Sequence, residues 1–218
     1  MADAERRFTS VPVEIRAGSD SLTIGGYAAK FNRMSQNLGG FVERIDPGFF
    51  NKSRGDGWPG VLARHNHDDN MLLGTTGAGT LRLGLDEVGL SYEVDMPQTR
   101  ADVYELVQRG DVRQSSFAFQ AFEDDWATSD QGFPMRTLLS GRLFDVASVN
   151  TPAYDDTSVA IRSLAQKFDA DLDEVAKMAA ENDLMRFFKR TDKQEQPQRR
   201  SSHAALAKIL ALDPNAKL

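Results

Sequence analysis

Cysteine is missing from all 218 residues, which excludes disulfides, thiolate metal sites and a cysteine nucleophile together. Histidine is scarce: His65, His67 and His203 are the whole supply, so any chemistry that needs an imidazole must draw on one of three positions. No apolar run approaches the length of a membrane-spanning helix, and the charged start Met1-Ala2-Asp3-Ala4-Glu5-Arg6-Arg7 leads into no apolar segment. A cytoplasmic protein with no membrane partner and no cleaved signal is expected. Positive charge is the minority, 26 Lys and Arg against 32 Asp and Glu for a net charge of -6, which speaks against nucleic acid as the main partner. With 40% hydrophobic residues the chain can build one cored domain and an appendage.

Period-two patterns dominate the first two thirds. Val11 to Ile15 alternates, with Pro12 placing that strand at an edge, and Leu22 to Ala29 reads as a second strand after a turn at Ala17-Gly18-Ser19-Asp20. Phe41 to Ile45 reads as a short strand, Asp46-Pro47-Gly48 as the start of a short helix carrying Phe49 and Phe50, and Ser53 to Gly60 as loop. Leu81, Leu83 and Leu85, then Asp86-Glu87-Val88-Gly89, then Leu90, Tyr92, Val94 and Met96 predict a hairpin. Thr99 and Asp102 read as a capping box for a helix with Val103, Leu106 and Val107 on its apolar face, closed by a left-handed Gly110. After an acidic loop at Glu123-Asp124-Asp125 and a turn at Ser129 to Gly132, two further strands are expected, near Arg136 to Leu139 and over Leu143 to Val149, the second ending at Thr151-Pro152. Beyond Ile161 the pattern turns helical, with Leu164, Phe168, Leu172, Val175, Ala176 and Ala179 in one stripe, expected as one long helix or two. Residues 191–202 read as a polar linker and 204–212 as a short final helix.

Two stretches can carry chemistry. His65-Asn66-His67-Asp68-Asp69 has the spacing H-x-H-x-D, in which two imidazoles and a carboxylate can share one cation; if the segment is extended, His65 and His67 point to the same side. The strand from Gln114 places Ser115, Phe117, Phe119 and Ala121 on one face and Ser116 and Ala118 on the other, so a serine leaves the face opposite the phenylalanines. A histidine that takes the proton of a serine hydroxyl and is oriented by a carboxylate can transfer acyl groups. His65 or His67, Ser115 or Ser116, and Asp145 supply the types; spacing alone does not say which of them meet.

Four collinear pieces narrow the choice. They are Gly26-Tyr27-Ala28 with Phe41-Val42-Glu43-Arg44-Ile45-Asp46-Pro47-Gly48-Phe49-Phe50; Asn66-His67-Asp68 with Leu73-Gly74; Gly110 with Ser116-Phe117-Ala118-Phe119; and Leu143-Phe144-Asp145-Val146-Ala147-Ser148-Val149 with Pro152-Ala153. From about Phe8 to Leu164 the chain thereby resembles the prohead maturation proteases of tailed phages, serine peptidases of assemblin-like fold related to the herpesvirus maturation proteases.

The resemblance implies an α+β fold: a mostly antiparallel, barrel-like sheet with flanking helices, over a protease domain 1–164, followed by a helical and partly flexible tail, 165–218, that targets the enzyme or is cut from it. It implies His67 as general base, Ser116 as nucleophile and Asp145 as the group that orients the imidazole, with no cofactor and no metal. Ser115 departs from the small or apolar residue usual before the nucleophile, and His65 reads as a neighbour. The implied partners are the major capsid protein with its scaffold segment, the chain itself through autocleavage, and further copies in a homo-oligomer; the implied place is the assembling prohead in the host cytoplasm. The readings from other classes are a non-catalytic scaffold or capsid-assembly protein and a metal-dependent hydrolase using His65 and His67.

Overall fold

The computed structural model describes residues 4–16, 22–150 and 157–191. The expected turn at Ala17 to Asp20, the strand end at Thr151-Pro152, the linker beyond Thr191 and the final helix lie outside the described residues.

The strands divide into two sheets. The larger has the order β1-β9-β10-β5-β6, with β4 also on β10; the strands are β1 (Glu5–Pro12), β4 (Val42–Ile45), β5 (Leu62–His65), β6 (Leu72–Thr75), β9 (Gln114–Thr128) and β10 (Pro134–Val149). The smaller has the order β2-β3-β8-β7, from β2 (Glu14–Ile15), β3 (Leu22–Lys30), β7 (Leu81–Leu85) and β8 (Gly89–Met96). Only the pairings of β10 with β4 and with β5 are parallel among the described residues. The expected mixed, mostly antiparallel fold is therefore present, but the barrel is not: two separate sheets stand where a closed one was expected.

One apolar cluster draws on both sheets. Ile24, Leu90, Tyr92 and Val94 from the smaller meet Phe117, Phe119, Leu143 and Val146 from the larger, with Phe49 and Phe50 between the strands. The β7–β8 hairpin forms as its alternation predicts, with Leu81 across from Val94 and Leu83 across from Tyr92. Its turn is held by the Asp86 carboxylate, whose Oδ1 accepts the backbone N–H groups of Val88 and Gly89. Glycine is required at 89, because a Cβ there would lie 2.0 Å from the Ala29 carbonyl oxygen.

Several boundaries differ from the sequence reading. β1 starts at Glu5, earlier than the alternation suggested, because Glu5 and Arg7 point inward as paired charges; Val13 then breaks away to donate its N–H to the Arg113 carbonyl, which separates β2. The short helix expected from Asp46-Pro47-Gly48 starts later: Phe49 and Phe50 sit in a turn before α1 (Asn51–Gly55), which runs on into the stretch from Ser53 that reads as loop. Helix α2 (Ala101–Arg109) ends on left-handed Gly110 as expected, but no capping box forms: a 3-10 turn at Gln98–Arg100 feeds it, without a side-chain cap. The acidic Glu123-Asp124-Asp125 continues β9 instead of looping, since Arg136 and Lys167 take the charges of Asp124 and Asp125. The two strands expected around Gly141 are one, β10, with bulges absorbed near Ser140.

The helical region is three short helices, α3 (Ser158–Lys167), α4 (Leu172–Ala180) and α5 (Leu184–Thr191). Left-handed Asp169 and Asn182 interrupt the stripe that had suggested fewer. Asp171 caps α4 by accepting the Glu174 N–H at 3.0 Å. Their apolar faces bury Ile161, Leu164, Val175 and Leu184 against Phe41 and Trp126, whose rings lie 5.0 Å apart, in a second cluster at the far end of β9 and β10. Among the described residues no helix is long and apolar enough to cross a membrane.

Candidate active site

β10 organises the site because it runs between β9 and β5. Ser116 of β9 lies across from Ala147, and Ala118 across from Asp145. Facing residues of a ladder share a side of the sheet, so Ser116, Ala118, Ala147 and Asp145 stand on one face. A bulge makes this possible. Leu143 pairs with Phe119 and Asp145 with Ala118, which leaves Phe144 as the extra residue. Without it Asp145 would face Phe117 and point into the apolar core. The bulge shifts the phase by one residue, so that Leu143 and Val146 keep the core side while Asp145 turns to the side of Ser116.

The histidine arrives from β5. Arg64 is in register with Ala147 and His65 with Ser148, which puts Arg64 on the Ser116 face and His65 on the other. The chain then reverses through Asn66 and His67, both left-handed at φ 55°. The extended segment that would have aligned His65 with His67 is therefore absent, and His67 folds back over the Ser116 face. Asn66 pins this reversal: its N–H donates to the Ser148 carbonyl, and its Oδ1 accepts the Asn150 N–H. Asp68 stabilises the far side by accepting the Asn70 N–H through Oδ1. The residues flanking His67 thus have a turn-forming role that explains their presence.

Three of the expected residues meet. His67 Nδ1 lies 2.6 Å from Asp145 Oδ1 and His67 Nε2 lies 2.7 Å from Ser116 Oγ. An ionised carboxylate only accepts, so Nδ1 carries the proton toward Asp145 and Nε2 is left to accept from the serine hydroxyl. That hydroxyl has one proton and two acceptors, because the Arg7 carbonyl oxygen of β1 also lies 2.9 Å from Oγ. Ser116 is fully buried, and Asp145 and His67 nearly so.

Sequence reasoning missed Arg64. Its guanidinium donates to Asp145 Oδ2 at 2.9 Å, so that the carboxylate is held from both ends, and it also pairs with exposed Asp69 at 2.8 Å. The available signal was its place three residues before His67 on a strand whose alternate positions face the site.

The other candidates lie elsewhere. Ser115 points into the inter-sheet core, 3.0 Å from the hydroxyl of Tyr92, whose own ionisation burial pushes up to about 12. His65 Nε2 accepts from the Asn66 amide and Nδ1 faces Ser148 Oγ at 3.1 Å, with burial pushing the imidazole below its ordinary range. With His65, His67 and Asp69 each turned to a different partner, H-x-H-x-D does not converge. Among the described residues no cluster of three His, Asp or Glu side chains could hold a metal ion.

A protein-family model described as caudovirus prohead serine protease matches residues 9–172, about three quarters of the chain. No curated protein and no solved structure matches it.

Proposed function

The chain belongs to the caudovirus prohead serine protease family, and from that premise we propose that it is the endopeptidase that cuts scaffold segments from the major capsid protein, and itself, using Ser116, His67 and Asp145. Membership makes it a serine peptidase of phage capsid maturation, acting on capsid protein inside the assembling prohead. The residue roles, the scaffold segment and autocleavage are our reading.

The observation that carries it is the hydrogen-bonded line Ser116 Oγ to His67 Nε2, 2.7 Å, and His67 Nδ1 to Asp145 Oδ1, 2.6 Å. As Oγ attacks the carbonyl carbon of the scissile peptide, its proton passes to Nε2, and Asp145 stabilises the imidazolium that forms. When the tetrahedral adduct collapses, Nε2 returns the proton to the departing amine, leaving an ester on Ser116. Water then attacks that ester and gives a proton to Nε2, and as the ester bond breaks Nε2 passes that proton to Oγ, releasing the acid and regenerating the serine.

Residues 1–164 carry this chemistry in our reading, and 165–218 form the tail. Its first helices, α4 and α5, pack with α3 against Phe41 and Trp126, which supports a removable segment that begins only after α5. The test is co-expression with the major capsid protein, followed by mass spectrometry of both chains. Wild type should yield a shortened capsid protein and a shortened protease, and Ser116→Ala neither. Processing that persists in Ser116→Ala would overturn the nucleophile, and no processing in either would favour a non-catalytic assembly role.

A further inference from the structure

Ser116 has no exposed surface, although a nucleophile must reach a peptide bond. β1 is the element placed against it. β1 pairs antiparallel along β9 from Glu5 across from Phe119 to Thr9 across from Ser115, with Phe8 directly opposite Ser116. Side chains paired in this way have Cβ atoms about 4.5–5.5 Å apart, so half-buried Phe8 stands beside the serine on the same face. The Arg7 carbonyl completes the cover by competing with His67 for the hydroxyl proton.

We infer that β1 occupies the substrate's place: the edge of β9 over Gln114–Phe119 is the surface to which an extended, unfolded peptide segment adds as an antiparallel strand, and β1 must leave it first. This rests on Ser116 being the nucleophile. Three features of β1 fit a displaceable strand. It is the edge strand of its sheet, so its departure breaks one ladder only and uncovers backbone groups that a peptide can satisfy. None of its described side chains belongs to the apolar core. Its anchors to the rest of the fold are instead ionic, Arg7 to Glu43 at 2.8 Å and Glu5 to Arg136 at 2.6 Å, with Glu5 and Arg7 also paired to each other within the strand at 2.8 Å. Such pairs fix register firmly, yet their charges regain hydration when released, so the net cost of detachment is far below that of exposing an apolar strand. The Ser116 hydroxyl meets the oxygen of Arg7, which leaves β1 blocking the site as a hydrogen-bonded neighbour. A substrate strand in the same groove would bring a carbonyl carbon to Oγ.

The lack of cysteine makes a direct test clean. Arg6→Cys with Ala118→Cys places two thiols at directly paired positions of β1 and β9, within reach of a disulfide. A fluorophosphonate probe then reports how often Ser116 is uncovered. In the reduced double variant and the wild type, labelling at Ser116 should proceed, and in the oxidised form it should slow by at least about tenfold, in proportion to the lost open fraction. Arg7→Met, which removes the ionic link of β1 to Glu43, should label faster than wild type. Equal labelling of oxidised and reduced forms would overturn the inference while leaving the peptidase reading intact. No Ser116 labelling in any form, Arg7→Met included, would remove the nucleophile and this inference with it.

Discussion

Replacing Asp145 by asparagine should disable the site through the hydrogen-bond pattern alone. In the wild type one carboxylate oxygen meets His67 Nδ1 at 2.6 Å and the other meets the Arg64 guanidinium at 2.9 Å. Asparagine is nearly the same shape but has one acceptor end and one donor end. Arg64 can only donate, so the amide oxygen must turn to it and the NH2 group must face Nδ1. Nδ1 then becomes an acceptor, the imidazole proton moves to Nε2, and Nε2 can no longer take the hydroxyl proton of Ser116. A wrong tautomer of this kind lowers kcat by about 10,000-fold in a Ser-His-Asp site, which is about 5.4 kcal/mol at 1.36 kcal/mol per decade. The assay is turnover of a peptide spanning a capsid cleavage site, with folding checked by urea melting. The sharper check is Asp145→Asn with Arg64→Met: once nothing demands the oxygen on the far side, the amide can flip, present its oxygen to Nδ1 and recover at least about tenfold of the loss. An Asp145→Asn enzyme within tenfold of wild type would refute the reasoning, and a double variant no better than the single would refute the part assigned to Arg64.

Ser115→Ala should keep its activity per folded molecule but lose about 1–3 kcal/mol in a urea melt, because the buried Tyr92 hydroxyl loses its partner. Arg136→Met leaves Glu5, Glu43 and Asp124 without the guanidinium they share and should cost about 3–5 kcal/mol by the same measurement; a loss under 1 kcal/mol would mean that the cluster is not a coupled unit. His65 titrates below its ordinary range because of burial. The unfolded chain therefore binds that proton first, and stability should fall as pH drops below about 6.5. Urea midpoints for wild type should decline more between about pH 7.5 and 5.5 than those of His65→Gln, and parallel declines would show that His65 contributes nothing in that window.

What the sequence made legible was local and periodic. The β7–β8 hairpin and the end of α2 at Gly110 rest on alternation and on one left-handed glycine, and both can be read within a dozen residues. The split between Ser115 and Ser116 was equally readable, since alternation alone separates the core face from the other. Glu5 and Arg7 could not be read as strand interior, because their burial depends on Glu43 and Arg136 far along the chain. Nor could the phase of Asp145, which a single bulged residue decides. The left-handed backbone at Asn66 and His67 was hidden for a similar reason. It places Asn66 so that its bonds to Ser148 and Asn150 become possible, and those partners lie at and just beyond the end of β10.

The ion cluster that anchors β1 also bears on how the chain folds as it is made. Glu5 bonds to Arg136, 131 residues further on, and β9, the strand that β1 pairs with, is likewise synthesised late. At about 5–20 residues per second, the first strand waits on the order of ten seconds with its ladder partner not yet outside the ribosome. An apolar strand exposed for that time would be an open edge on which other nascent chains could associate. A segment beginning Glu5-Arg6-Arg7 keeps its charges hydrated until β9 and β10 offer it a place. The charges that look costly in the folded interior protect the chain against aggregation before that interior exists.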